Sequence, residues 1–193
     1  MCSLVFVAGY QNSEAEHWQR LWCKQMPNSY FVEQDSWDKP ERDAWVQRLD
    51  ETVQKIEGKI IFVAHSMGCC TVVEWANKYK SDKVCSALFV AIPDVTREDF
   101  PKEIVGFENP PLKKLSFPSI AVISDDDPYA SVKRSNEIAS IWGCEALHVG
   151  KKGHINLASN LGEWEEGKEI LKKLTCKKKI TTFLQGFYRH LQV

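Results

Sequence analysis

The chain has 193 residues, 44% of them apolar, 26% charged and 11% aromatic, a mixture that excludes disordered, collagen-like and membrane-embedded classes and predicts one globular domain over residues 1–193. Twenty-five Lys and Arg against 26 Asp and Glu leave a formal charge of -1, so no global field favours nucleic acid or an anionic membrane as partner. At this length about 70% of the unfolded chain's surface can be buried, enough for a core without metal or disulfide staples.

The first apolar run, Leu4–Ala8, reads as a core strand, with no basic segment or long apolar stretch ahead of it to suggest a secretory leader. From about Glu14 to Gln25, Trp18, Leu21, Trp22 and Gln25 recur at helical spacing, and Met26-Pro27-Asn28 stops the pattern. A short strand follows over Tyr30–Val32. A second helix is predicted from about Glu41 to Ile56, with Trp45, Leu49, Val53 and Ile56 on one stripe before Gly58. Lys59–Ala64 is apolar without alternation, as expected of a central strand buried on both faces. Further strands are predicted over Val84–Ala91, Ser119–Ser124 and Glu145–Val149. Even the longest apolar stretches, such as Val84 to Ile92, fall far short of the roughly 20 residues of a membrane helix. Strands separated by long helical connections imply right-handed crossovers. The expectation is therefore a three-layer α/β fold, a mostly parallel sheet of about six strands with helices on both faces. In such sheets ligands bind beyond the carboxyl ends of the strands, which directs attention to the residues following each strand.

Three such positions carry chemistry. Ala64-His65-Ser66-Met67-Gly68 joins a strand to a segment of helical spacing and sets a serine between small residues two places away on each side. That is the pattern of a nucleophile elbow, where strand and helix backbones crowd a tight turn, although Ala64 stands where the usual motif has glycine. Asp125-Asp126-Asp127-Pro128 follows the fifth strand and Gly150-Lys151-Lys152-Gly153-His154 the sixth, which gives the chain order Ser, Asp, His of α/β-hydrolases. Pro128 biases Asp127 toward an extended conformation, so Asp127 is the preferred acid and Asp125 and Asp126 are read as solvated turn residues.

These residues resemble the small serine hydrolases of the retinoblastoma-binding-protein and YdeN type, within the α/β-hydrolase superfamily. The likeness runs through Gly9, Ser13 and His17-Trp18-Gln19, the elbow, Phe117-Pro118-Ser119, Ser124 to Tyr129, Gly153-His154-Ile155-Asn156 and Gly162-Glu163-Trp164. It implies Ser66 as nucleophile, His154 as base and Asp127 as the acid that orients it. An oxyanion would be met by the backbone N–H of Met67 and, from the loop after the first strand, that of Tyr10. The expected substrate is a small carboxylic ester, thioester or amide, with no metal or organic cofactor required.

Other features have plainer readings. Gly150-Lys151-Lys152-Gly153 matches the G-x-x-G of a nucleic-acid-binding KH loop, but it follows a strand, whereas a KH loop joins two helices. His17 is a candidate lining residue of the acyl site and Trp18 a core residue. His65 is read as packing beside the nucleophile, and His148 as a strand side chain. Cysteines at 2, 23, 69, 70, 85, 144 and 176 are odd in number and form no C-x-x-C pair, which argues against a zinc ribbon and a disulfide framework. They suggest a reducing, cytoplasmic setting. The stretch from Pro93 to Ser116, with Pro93, Pro101, Pro110 and Pro111, reads as a folded-over loop with room for one short helix. Phe183, Leu184, Phe187, Tyr188 and Leu191 predict an added amphipathic helix over about 177–193, docked on the core or forming a weak homodimer contact. The rival to an enzyme is a protein-binding module that kept the fold. Its L-x-C-x-E signature is incomplete here, because Leu21-Trp22-Cys23-Lys24-Gln25 ends in Gln and sits on a predicted helix.

Overall fold

In a computed structural model, which describes residues 2–174, the β-branched and aromatic runs form six strands. These are β1 (Ser3–Val7), β2 (Ser29–Phe31), β3 (Ile60–His65), β4 (Val84–Val90), β5 (Ser119–Ile123) and β6 (Glu145–His148). They pair in the order β2-β1-β3-β4-β5-β6, and every pairing is parallel. The helix expected over about 177–193 lies outside the described residues.

Among the described residues five α-helices cover the sheet: α1 (Trp18–Gln25), α2 (Arg42–Lys55), α3 (Met67–Lys78), α4 (Val132–Trp142) and α5 (Glu165–Lys172). The pleat divides each central strand between two cores. In β3, Ile60, Phe62 and Ala64 face a cluster with Trp45, Leu49 and Val53 of α2, Val72 and Trp75 of α3, and Ile138 and Trp142 of α4. Ile61 and Val63 face the opposite cluster, with Trp18 and Trp22 of α1 and Ile170 and Leu171 of α5. β1 and β4 split the same way, so a central strand needs apolar residues at every position, which is why the run at 60–64 does not alternate.

The structure refines the sequence expectation at several places. α1 begins at Trp18 rather than Glu14, because His17 is its N-cap: the His17 Nδ1 accepts the Gln19 N–H at 3.2 Å, and Gln11 and Asn12 just upstream have positive φ. α4 was not anticipated, although Ser131 caps it, Ser135, Ile138, Ala139 and Trp142 are buried at helical spacing, and Gly143 closes it at φ 73. The segment 93–116 forms no helix. It folds over onto the domain as expected, burying Val95, Ile104 and Phe107 and bridging Val105 to Glu41.

The order of strands reverses between β1 and β3, the first connection stepping to one edge through β2 and the later ones to the other. At that point the loops leaving the two strands diverge and open a crevice at their carboxyl ends. Gln19 closes its floor. Fully buried, it donates from Nε2 to Val7 O of β1 at 3.2 Å and to Val63 O of β3 at 3.0 Å, and it accepts the Ser13 hydroxyl at 2.8 Å.

Candidate active site

Ser66 lies between β3 and α3 with φ 53 and ψ -129, a conformation that costs a non-glycine residue on the order of 1–3 kcal/mol and persists only where the surroundings enforce it. Here Ser66 N–H donates to Val90 O of β4 at 3.0 Å, and Ser66 O accepts from Cys69 N–H at 2.8 Å in the first turn of α3. The small flanking residues are required by contact. A Cβ on Gly68 would lie 2.2 Å from Val7 O, so the helix can approach β1 only with glycine at this position. Ala64 is fully buried, and its methyl group is accommodated within the core cluster.

The Ser66 Oγ is 2.9 Å from Nε2 of His154, whose Nδ1 is 3.0 Å from both carboxylate oxygens of Asp127. A carboxylate only accepts, so the Nδ1 is protonated and the Nε2 lone pair receives the serine hydroxyl. Both side chains are withdrawn from water, at 7% exposure for His154 and 4% for Asp127. Asp127 Oδ1 also accepts the Tyr129 N–H at 2.9 Å, which fixes the carboxylate's orientation.

The His154 loop is held from several sides. Its carbonyl accepts from His65 Nε2 at 2.9 Å, and the next carbonyl, that of Ile155, accepts from Trp18 Nε1 at 2.8 Å. Trp18 is thus the core residue expected, with its one polar atom used against this loop. Asp126 is an exposed turn residue, as expected, and it also ties the loop together. Its Oδ1 accepts the Gly153 N–H at 2.8 Å and the Ser124 hydroxyl at 2.9 Å, and Ser124 Oγ in turn accepts Lys152 N–H at 2.9 Å. These bonds, the Gly153 N–H foremost, hold the Asp126 carboxyl below its usual range. Asp125 is exposed and meets His148 Nδ1 at 3.2 Å; His148, also near Asn136, takes no part in the Ser66 cluster.

Three imidazoles stand in file: His17 and His65 with centroids 5.0 Å apart, His65 and His154 4.9 Å apart. Burial, reinforced by the charge His154 can acquire, pushes His65 well below the usual histidine value and His17 down to about 4. Both are therefore neutral at pH 7, and only the ring that faces Asp127 has a counter-charge.

Met67 opens α3, so its N–H is one of the helix donors without an intrahelical acceptor. Gly9, in the loop after β1, packs against the serine: a Cβ there would sit 2.7 Å from Ser66 Cβ and 3.1 Å from both Ser66 Oγ and Met67 N. Tyr10 follows it and lines the same crevice. That crevice is a pocket of about 250 Å³ at Ser66 and His154, lined also by Tyr10, His17, Pro93, Arg97, Phe100 and Ile104. Pro93, Arg97, Phe100 and Ile104 come from the folded-over segment 93–116.

A family model described as serine hydrolase matches residues 4–173. The chain belongs to the serine hydrolase family. Among solved structures, this serine hydrolase is similar to a protein described as a YdeN-like hydrolase from Pectobacterium atrosepticum, with 26% identity over 90% of each chain and a TM-score of 0.80. The ydeN gene product of Bacillus subtilis shares 15% identity over 92% of this chain and 100% of its own, with a TM-score of 0.73. Carboxylesterase CesB of Bacillus subtilis shares 13% over 91% of this chain and 84% of its own, with a TM-score of 0.64. No curated protein matches the chain by sequence. The likeness to the YdeN type and the α/β-hydrolase architecture agree with the resemblance seen in the motifs. Among the described residues no helix is long and apolar enough to cross a membrane.

Proposed function

We propose that this serine hydrolase cleaves a small carboxylic ester, thioester or amide through an acyl-enzyme intermediate, with Ser66 as nucleophile, His154 as general base and Asp127 as its orienting acid. The observation that carries this reading is the unbroken hydrogen-bonded series from Ser66 Oγ through His154 to Asp127, built on a serine in strained backbone. The structural likeness to CesB, a carboxylesterase, favours an ester among the three acyl classes.

His154 Nε2 takes the hydroxyl proton as Ser66 Oγ bonds to the acyl carbon, and Asp127 stabilises the resulting imidazolium. The tetrahedral oxyanion is met by the N–H groups of Met67 and Tyr10. Collapse breaks the bond to the leaving group, which receives the proton from His154. Water, deprotonated by the same imidazole, then attacks the acyl-enzyme; the second collapse returns the proton to Ser66 and releases the acid. A protein-binding module would gain nothing from a serine held in this conformation against a base, and the Leu21–Gln25 segment is wound into α1 with Trp22 buried, unlike an extended recognition motif.

The test is covalent labelling with a fluorophosphonate. The expected result is one adduct, on the peptide containing Ser66, abolished in Ser66→Ala. Folded protein left unmodified at Ser66, under conditions that label a related hydrolase, would refute the assignment.

A further inference from the structure

His17 lines the catalytic pocket with a side chain that no step of the proposed reaction uses. The residue is only 3% exposed, and its ring is fixed: Trp18 and His65 pack against it with centroids 5.3 and 5.0 Å away, and Nδ1 accepts the Gln19 N–H. Because Nδ1 accepts and the ring is neutral at pH 7, Nε2 carries the proton. That N–H has no hydrogen-bond partner among the described residues. Nor is it sealed in the interior as the Trp164 N–H is, for the ring forms part of the pocket wall. A neutral donor is thus held beside the space in which the substrate must lie, with its hydrogen bond unmade. The same ring, with Asn156 and Leu157, also walls a second cavity of about 290 Å³ that runs on past Asn160 and Leu161. His17 therefore stands where the two spaces meet, with the single imidazole of His65 between it and His154. Glu14 and Glu16, exposed on the loop before α1, line the two cavities and repel an anion, so the acceptor that suits this donor is uncharged.

Resting on the hydrolase reading, we infer that His17 is a substrate-binding residue whose Nε2–H donates to an uncharged oxygen of the substrate, an ether, hydroxyl or carbonyl carried several bonds from the scissile carbon on the acyl or the leaving group. A donor this far withdrawn from water is costly to leave unpaired, so the site discriminates against a substrate that presents a methylene in place of that oxygen.

An oxygen scan tests this on the full chain, with the Ser66→Ala rate subtracted and each rate divided by that of hydroxide on the same ester. On the acyl side, the 4-nitrophenyl esters of 3-methoxypropanoic and 4-methoxybutanoic acid are compared with the pentanoate and hexanoate, in which a methylene replaces the oxygen. On the leaving-group side, 2-methoxyethyl acetate is compared with butyl acetate. The expected result is a kcat/KM ratio favouring the ether by about three- to tenfold in at least one pair. His17→Asn keeps a side chain that can cap α1 but is too short to present the donor, and should bring that ratio to one or below. His17→Gln, whose amide N–H₂ reaches further, should retain part of it. The ratio is insensitive to general damage, because both members of a pair use the same nucleophile and base. Wild-type ratios at or below one in every pair would overturn the inference without any variant, as would an ether preference that His17→Asn leaves unchanged. Fluorophosphonate labelling of Ser66 with no ether preference would refute the role of His17 and leave the hydrolase reading intact, whereas folded protein with neither labelling nor ester cleavage would remove the reading on which the inference rests.

Discussion

Gly9→Ala is the most economical probe of the space beside the nucleophile. Gly9 does not have positive φ, so alanine costs no backbone strain there, and the whole effect comes from one methyl group. That methyl would lie 2.7 Å from Ser66 Cβ, about 0.7 Å inside the 3.4 Å at which ordinary contact begins. It would also lie 3.1 Å from Met67 N, within the range at which a donor meets an oxyanion, so the carbon takes the volume that the developing charge needs. Loss of one such donor costs about 10²–10³ in turnover, and misplacing a reacting atom by about 1 Å costs a similar factor, so kcat/KM should fall at least 10²-fold and by as much as about 10⁴-fold. Stability should drop by only about 1–3 kcal/mol, the usual cost of a small overpacked site. The assay pairs initial rates on 4-nitrophenyl butyrate with a thermal melt of the same sample. Activity within threefold of wild type in a folded protein would mean that the oxyanion does not form between Gly9 and α3. Gly68→Ala is the contrasting case: its Cβ meets backbone 2.2 Å away, and the expected outcome is loss of the fold.

Other expectations concern the acids, the histidines and the pocket. Asp127→Asn should lower kcat by roughly 10³–10⁴-fold, because an amide can present its N–H₂ to Nδ1 and favour the wrong tautomer; steady-state kinetics with Asp125→Asn as the mild control checks this. Asp126→Asn should be mild, since an amide oxygen can still accept from Gly153 and Ser124, whereas Asp126→Ala should lower kcat and leave the unfolding cooperative. His17 is held down to about 4 by burial first and by His154 and Arg20 next, so between pH 6.5 and 4 the unfolded chain binds the extra proton. Stability is then full above pH 6.5 and falls by about 3 kcal/mol as pH drops to 4. His65, also held well below its usual value, adds loss in the same direction, so denaturant titrations should show at least that decline and His17→Gln should reduce it without abolishing it. With a pocket of about 250 Å³, rates on nitrophenyl esters should peak at roughly two- to six-carbon acyl chains and fall beyond about ten, where added methylenes stay in water. A rise toward twelve carbons below micelle formation would contradict this.

The sheet was legible because both signals that specify it are local: strand-length apolar runs, and helical spacing between them. Ser66, Asp127 and His154 were legible for the related reason that a parallel sheet delivers the ends of its strands to one edge, so position along the chain stands in for position in space. What remained hidden depends on side-chain reach. Nothing in Asp125-Asp126-Asp127 distinguishes a carboxylate that ties down the Gly153 amide from one that meets His148, because the partners are 27 and 23 residues away. Gln19, buried in α1 beside Trp18 and Trp22, joins two strand ends, which helical spacing alone does not disclose. The pocket wall from 93–116 has no period to read, since its prolines remove both helix and strand.

The file of His17, His65 and His154 bears on where a proton can travel. Each ring disfavours charge on the next, and the first two lack an acid to offset their burial. Neither His17 nor His65 is therefore ready to take up a proton at pH 7. Under the proposed mechanism, neither of these two rings readily takes over the proton that His154 receives from Ser66, which favours its transfer to the departing group in front of His154. On that reading the two buried, neutral rings would act as a wall behind the base, keeping the proton on the side where the leaving group needs it.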